Sequence, residues 1–120
     1  MMPAAKDVMT KKVVTVGPKD KAAAAIAKLV KNKVSGVPVV DEEGKVMGML
    51  TEADLLTARA TQNVESLMSK PATTVAANAS LKAITDTLVK KKIKRVAVVD
   101  KDKRLLGVVS RIDILKTKAK

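Results

Sequence analysis

Shifted by 59 positions, the chain lines up with itself. Residues 9–56 fall on residues 68–115 without a gap, and 16 of the 48 pairs are identical, where chance would give a few. Met9 meets Met68, Thr15-Val16 meets Thr74-Val75, VPVVD (37–41) meets VAVVD (96–100), and Gly48, Asp54 and Leu56 meet Gly107, Asp113 and Leu115. The chain must therefore fold as two copies of one unit. A unit of about 50 residues with short strands cannot enclose a core, so each copy keeps an apolar remainder that the other has to cover.

Each copy reads the same way locally. VVTV (13–16) and ATTV (72–75) are short β-type segments, ended by Gly17-Pro18 in one copy and by Asn78 in the other. A helix follows each. Between Asp20 and Lys31 the apolar positions Ala22, Ile26, Leu29 and Val30 recur at helical spacing, as do Leu81, Ile84 and Leu88 after Ser80, the expected N-cap. VPVVD and KVMGMLT then flank the turn EEG, in which Gly44 can take the positive φ that a tight hairpin requires; the second copy uses KDK instead, a less suitable turn. These strands are apolar on both faces, which suits a sheet covered by helices. The short helices EADLLTARA and RIDILKTKAK close the copies.

The expected fold is α/β (α+β): two β-α-β-β-α repeats related by a pseudo-two-fold, with small sheets packed together and covered by helices. The β-α-β crossover is expected to be right-handed. Repeat 1 spans 1–58, the polar segment RATQNVE (59–65) connects, and repeat 2 spans 66–120.

Composition narrows the chemistry. The chain has no His, Cys, Phe, Tyr or Trp. That removes a thiolate nucleophile, an imidazole base, a disulfide and a zinc site of the usual ligand set. It also removes the aromatic platforms on which single-stranded nucleic acids stack. The remaining nucleophiles, Ser, Thr and Lys, have no activating base at a recognisable spacing, so a non-catalytic protein is expected. Lysine-rich and narrow in alphabet, the sequence suits a thermophile protein or a simplified, engineered one. A net charge of +12 attracts phosphate-bearing partners, whether nucleotide, nucleic acid or anionic lipid, or it only confers solubility. No apolar run approaches the roughly 18 residues of a membrane span, and the first ten residues lack the apolar core of a secretion signal. A cytoplasmic protein with no membrane partner is expected.

The repeated GMLTEAD (48–54) and GVVSRID (107–113) place a hydroxyl, Thr51 or Ser110, at a strand-to-helix junction three residues before an aspartate. One reading is a capping box, in which the hydroxyl caps the helix and the acid reaches back. The other is a phosphate held by the hydroxyl and the first-turn N–H groups, with Asp54 or Asp113 accepting hydrogen bonds from a sugar diol.

With DVMTKKVVTV, VSGVPVVDEEGKVMGMLTEADLL, VESLMSKPATTV and IKRVAVVDKDKRLLGVVSRIDIL in that order, residues 5–116 resemble a tandem pair of cystathionine-beta-synthase (CBS) domains, a Bateman module. The resemblance implies a regulatory or sensor module that binds AMP, ADP, ATP or S-adenosylmethionine in clefts between the repeats and requires no cofactor. It implies that Asp54 and Asp113 hold ribose hydroxyls and that Thr51 and Ser110 contact phosphate. Val13, Val14, Ser35, Gly36, Val37 and Pro38 would line one adenine pocket; Ala72, Thr73, Lys94, Arg95, Val96 and Ala97 would line the other. Ala97 departs from the proline that Pro38 retains.

The two sites are expected to be unequal, because Lys94, Arg95 and Arg111 surround Ser110 whereas Glu52 stands where Arg111 does. Modules of this type pair through their helices, so a homodimer is expected, with the small residues Ala22 to Ala25 permitting close approach. The alternatives are a basic nucleic-acid-binding protein and a structural scaffold without ligand.

Overall fold

A computed structural model describes residues 3–119; Met1, Met2 and Lys120, the outer edges of the two expected repeats, lie outside the described residues. In chain order the elements are α1 (Ala5–Val8), α2 (Ala22–Asn32), β1 (Gly36–Val40), β2 (Val46–Thr51), α3 (Glu52–Leu55), a 3₁₀ turn (Val64–Ser66), β3 (Thr74–Ala76), α4 (Leu81–Lys90), β4 (Arg95–Val99), β5 (Leu105–Ser110) and α5 (Arg111–Lys118). The fold is α+β, with one small sheet in each of two compact units. One unit is Val14–Ala72; the other joins the segment up to Val13 to everything from Thr73 onward.

In the Val14–Ala72 unit, β1 and β2 form an antiparallel hairpin running from Gly36 opposite Thr51 to Val40 opposite Val46, with a bulge between Val39 and Val40. Gly44 takes φ +80° in its turn, as the sequence requires. The segment before α2 touches β1 at a single parallel bridge, Val16 to Val39, rather than as the strand expected over 13–16. Two prolines explain the shortening. Neither has an N–H to donate, so Pro38 removes the pairing before Val16 and Pro18 the pairing after it.

Helix α2 buries Ala22, Ala25 and Leu29 against Val16, Val37, Val39, Leu50 and Leu55. This corrects the face read from the sequence: Ile26 is 37% and Val30 72% exposed. Two alanines supply the inward stripe at i and i+3 with Leu29 at i+7, which turns Ile26 and Val30 to the flank. Half of the alanine run is thus used inside its own unit, while Ala23 and Ala24 are exposed.

The other unit has the fuller sheet, with β3 parallel to β4 and β4 antiparallel to β5. No proline follows Val75, and three residues pair where the first copy manages one bridge. The hydroxyl of Ser80 caps α4 by accepting the N–H of Ala83 at 3.1 Å, and Ile84 and Leu88 point into a core with Val96, Val98, Val109 and Ile114. Lys103 takes φ +69° where Gly44 stands in the first hairpin, and Lys33 and Lys92, just after α2 and α4, take φ +54°.

The chain exchanges segments between its copies. Thr10 bridges Val108, and Ser69 bridges Met49; likewise Ala4 bridges Ser80, and Asn63 bridges Lys21. The same offset of 59 relates the members of each pair, so the stretch leading into one copy completes the unit built on the other. The backbone bonds repeat this too: Ala5 N–H to Ala79 O and Lys6 N–H to Ala77 O at 2.9 Å in one unit, Val64 N–H to Asp20 O and Glu65 N–H to Pro18 O at 2.8 and 2.9 Å in the other. Gly48 and Gly107 are glycines for this reason. A Cβ on Gly48 would sit 2.7 Å from the Ser69 carbonyl oxygen and 2.8 Å from the Met68 sulfur; on Gly107 it would sit 2.7 Å from both the Thr10 oxygen and the Met9 sulfur.

Candidate functional site

Thr51 and Ser110 end β2 and β5 and serve as the N-caps of α3 and α5. The backbone N–H of Thr51 donates to Asp54 Oδ2 at 2.9 Å and its hydroxyl to the same oxygen at 3.1 Å. Ser110 repeats this with Asp113 Oδ2 at 2.8 and 3.1 Å, and its Oγ accepts the N–H of Asp113 at 3.4 Å. The capping reading of the motif is therefore realised in both copies. It uses Oδ2 of each carboxylate, and both aspartates are half-buried at fixed orientation.

Neighbouring strands bring further expected residues to each pair. Gly36 lies opposite Thr51, and the carbonyl of Ser35 accepts the N–H of Glu52 at 2.9 Å. Arg95 lies opposite Ser110, and the carbonyl of Lys94 accepts the N–H of Arg111 at 3.0 Å. One unit thus gathers Ser35, Gly36, Thr51 and Asp54; the other gathers Lys94, Arg95, Ser110, Arg111 and Asp113. Thr73 joins the second group through β4, since its carbonyl accepts the N–H of Ala97 at 3.2 Å. In the first unit the matching bond cannot form, because Pro38 stands where Ala97 does and has no N–H; Val16 N–H instead donates to Pro38 O at 3.2 Å, and Val14 packs against the core.

Other expected residues are placed less directly. Val37 and Val96 are 1% and 0% exposed in the two cores, backbone included. Pro38 and Ala97 alternate with them along the strands and are also buried. Val13 and Ala72 stand where the chain passes from one unit to the other: Val13 belongs to the unit of Thr73, and Ala72 to the unit of Val14.

Two contacts went unread in the sequence. Arg111 donates its Nε–H to the carbonyl of Ile93 at 3.1 Å, which fixes the guanidinium stem beside Ser110; Lys91 Nζ lies 3.5 Å from Thr73 Oγ1. No residue spacing announces either, because both partners come from loop backbone or a helix end. Among the described residues no group of three or more carboxylates could hold a metal ion, and no helix is long and apolar enough to cross a membrane.

Each unit also carries a groove between two of its helices. One of about 560 Å³ lies between α2 and α3 and includes Val30, Ser35, Glu52 and Leu56; one of about 450 Å³ lies between α4 and α5 and includes Val89, Arg111, Leu115 and Lys118. Neither contains Asp54 or Asp113.

A family model of the CBS domain matches this chain twice, over residues 5–61 and 64–120. The chain belongs to the CBS-domain family. Over 113 residues it is 31% identical to inosine-5'-monophosphate dehydrogenase of Methanocaldococcus jannaschii, covering 93% of this chain but 23% of that enzyme. The chain therefore spans under a quarter of that relative's length. Among solved CBS pairs, CBSX2 from Arabidopsis thaliana matches with TM-score 0.92 at 25% identity, covering 99% of this chain and 96% of that one. CBSX2 in complex with AMP matches with TM-score 0.90 at 25% identity over 97% of this chain and 96% of that one. The CBS domain pair of protein MJ0100, solved with 5'-methylthioadenosine and S-adenosyl-L-methionine, has TM-score 0.90 at 26% identity over 99% of this chain and 98% of that one.

Proposed function

We propose that this CBS pair is a non-catalytic regulatory module that binds an adenine nucleotide, AMP, ADP or ATP, with S-adenosylmethionine as a further ligand of the same class. The observation that carries this reading is the doubled hydroxyl–aspartate pair. Each capping box holds a half-buried carboxylate still through one oxygen, which leaves it oriented to accept hydrogen bonds from a ribose diol. The AMP and S-adenosylmethionine complexes of the similar CBS pairs support the ligand class.

The Ser110/Asp113 site is the stronger of the two. Asp113 holds the ribose, Ser110 the phosphate, and Lys94, Arg95 and Arg111 supply charge-assisted contacts that Ser35, Gly36 and Glu52 do not. Thr73 stands on the adenine side, with Val96 and Ala97 fully buried behind it. Isothermal titration of nucleotide-stripped protein with AMP, ADP, ATP and S-adenosylmethionine at low and high salt tests this. Saturable binding that survives salt is expected; heat that vanishes with salt for every ligand would identify only nonspecific charge attraction, the behaviour of a nucleic-acid binder.

The module works as a homodimer paired through its helices. Support comes from apolar side chains exposed at equivalent positions of both grooves: Val30 and Leu56 at 72% and 82%, Val89 and Leu115 at 70% and 55%. Light scattering after size exclusion, read by refractive index because the chain has no Trp or Tyr, should give twice the mass of 12.7 kDa. A mass of one chain would sink this part.

A further inference from the structure

At the far end of β4 from Ser110 lies a pocket of about 530 Å³ that the nucleotide reading does not use. Its floor is the carboxyl ends of β3 and β4, which run parallel, and its rim carries Lys6, Lys101 and Lys103 with Asn78 and Asp100. The five residues of β4 separate it from the Ser110 end, on the order of 13 Å at about 3.3 Å per residue. Its volume lies within the range of small-molecule sites, and the carboxyl ends of parallel strands are where open α/β sheets bind ligands.

The rim is fixed by backbone bonds. Lys6 donates its N–H to Ala77 O at 2.9 Å, which holds the start of the chain over the end of β3. Asp100 Oδ1 accepts the N–H groups of Asp102 and Arg104 at 2.8 and 3.0 Å, so it organises the hairpin turn that presents Lys101 and Lys103. Lys103 sits there at φ +69°, a conformation costly for a lysine and natural for the glycine at the matching position 44. Three lysines thus line one pocket with a single carboxylate, Asp100, that the turn already engages.

Duplication alone does not put them there. At the positions equivalent to Lys6, Lys101 and Lys103, the other unit carries Glu65, Glu42 and Gly44. The same end of the same hairpin is acidic in one copy and basic in the other. We propose that the pocket ringed by Lys6, Lys101 and Lys103 binds a small phosphate-bearing anion, independently of the Ser110/Asp113 site.

The test is a titration of the full ¹⁵N-labelled chain with inorganic pyrophosphate and, separately, ATP at physiological salt, read from backbone amide shifts. Saturable pyrophosphate shifts centred on Lys6, Ala77, Asn78 and Lys101–Lys103 are expected, unchanged in Asp113→Asn. They should weaken at least tenfold in Lys101→Glu/Lys103→Gly, which copies residue types of the other hairpin and so keeps the turn. Lys6→Gln, on a different segment, should weaken them too. ATP moving the same amides would identify nucleotide phosphate as a source; pyrophosphate acting alone would identify a free anion. Shifts confined to Ser110–Asp113, or unsaturating shifts spread over the lysines of both units, would overturn the proposal.

Discussion

The two capping boxes are nearly superimposable in their bonds and opposite in their surroundings. The backbone-to-carboxylate distance is 2.9 Å at Thr51 and 2.8 Å at Ser110, and the hydroxyl-to-carboxylate distance is 3.1 Å in both. Yet the residue after the cap is Glu52 in one and Arg111 in the other, and the strand facing it brings Ser35 and Gly36 in one, Lys94 and Arg95 in the other. What the helix start needs to form has stayed the same in both copies, because orphan N–H groups must be satisfied wherever a helix begins. What a bound phosphate would sense has diverged, from Glu52 to Arg111 and from Ser35 and Gly36 to Lys94 and Arg95.

The deepest equivalence between the units is the crossing of the exchanged segments over Gly48 and Gly107. Each glycine→alanine substitution pushes a Cβ to 2.7 Å from a backbone oxygen. Both variants should lose about 2–3 kcal/mol in urea unfolding, near the upper end of overpacking costs. Loss in one alone would show that the exchange matters in one unit only. Next comes the electrostatic difference. Arg111→Glu should weaken nucleotide binding by about 2 kcal/mol, roughly 30-fold, the scale of one hydrogen bond to a charged group, whereas Glu52→Arg should tighten binding at the Thr51 site. Titration calorimetry reads both, and equal effects at the two sites would remove the asymmetry.

A smaller effect separates the long helices. Ser80→Ala removes the side-chain cap at the start of α4 and should cost about 1 kcal/mol, while Lys21 at the start of α2 makes no such cap and its replacement by Ala, which loses an exposed bond from Nζ to Asn63 Oδ1, should cost less. The smallest expected effect is a gain. Lys33→Gly and Lys92→Gly relieve φ of +54° and should each raise stability by about 0.5–1 kcal/mol, seen as a higher urea midpoint at unchanged slope.

Much of this was readable in one dimension, for a local reason. The duplication shows as one gap-free offset, and the Gly44 turn, the Ser80 cap and the hydroxyl–aspartate boxes each depend on residues within four positions of each other. The exchange of segments was not readable. An offset of 59 is equally consistent with Thr10 pairing to Met49 or to Val108, since the two target strands are sequence equivalents. The inward face of α2 was misread because alanine is indifferent to burial, and larger neighbours drew the stripe toward Ile26 and Val30. Pairing of the first segment in the Val14–Ala72 unit is overestimated from sequence because Pro38, on the partner strand, lacks the N–H that Ala97 donates to Thr73 O in the other unit. The spacing picks out Asp54 and Asp113 as acids that reach back to the cap, whereas the burial of Val37 and Val96 in the cores is concealed by the apolar runs around them.

The most direct measurement of the central claim is calorimetric titration of AMP into wild type, Asp54→Asn and Asp113→Asn, with unfolding curves recorded in parallel. Asparagine keeps an acceptor for the cap N–H and removes the charge that would face a ribose. The account predicts that Asp113→Asn loses most of the high-affinity binding while its stability stays near wild type, and that Asp54→Asn keeps it. Unchanged AMP affinity in a folded Asp113→Asn protein would contradict it, and would leave the paired aspartates as helix caps alone.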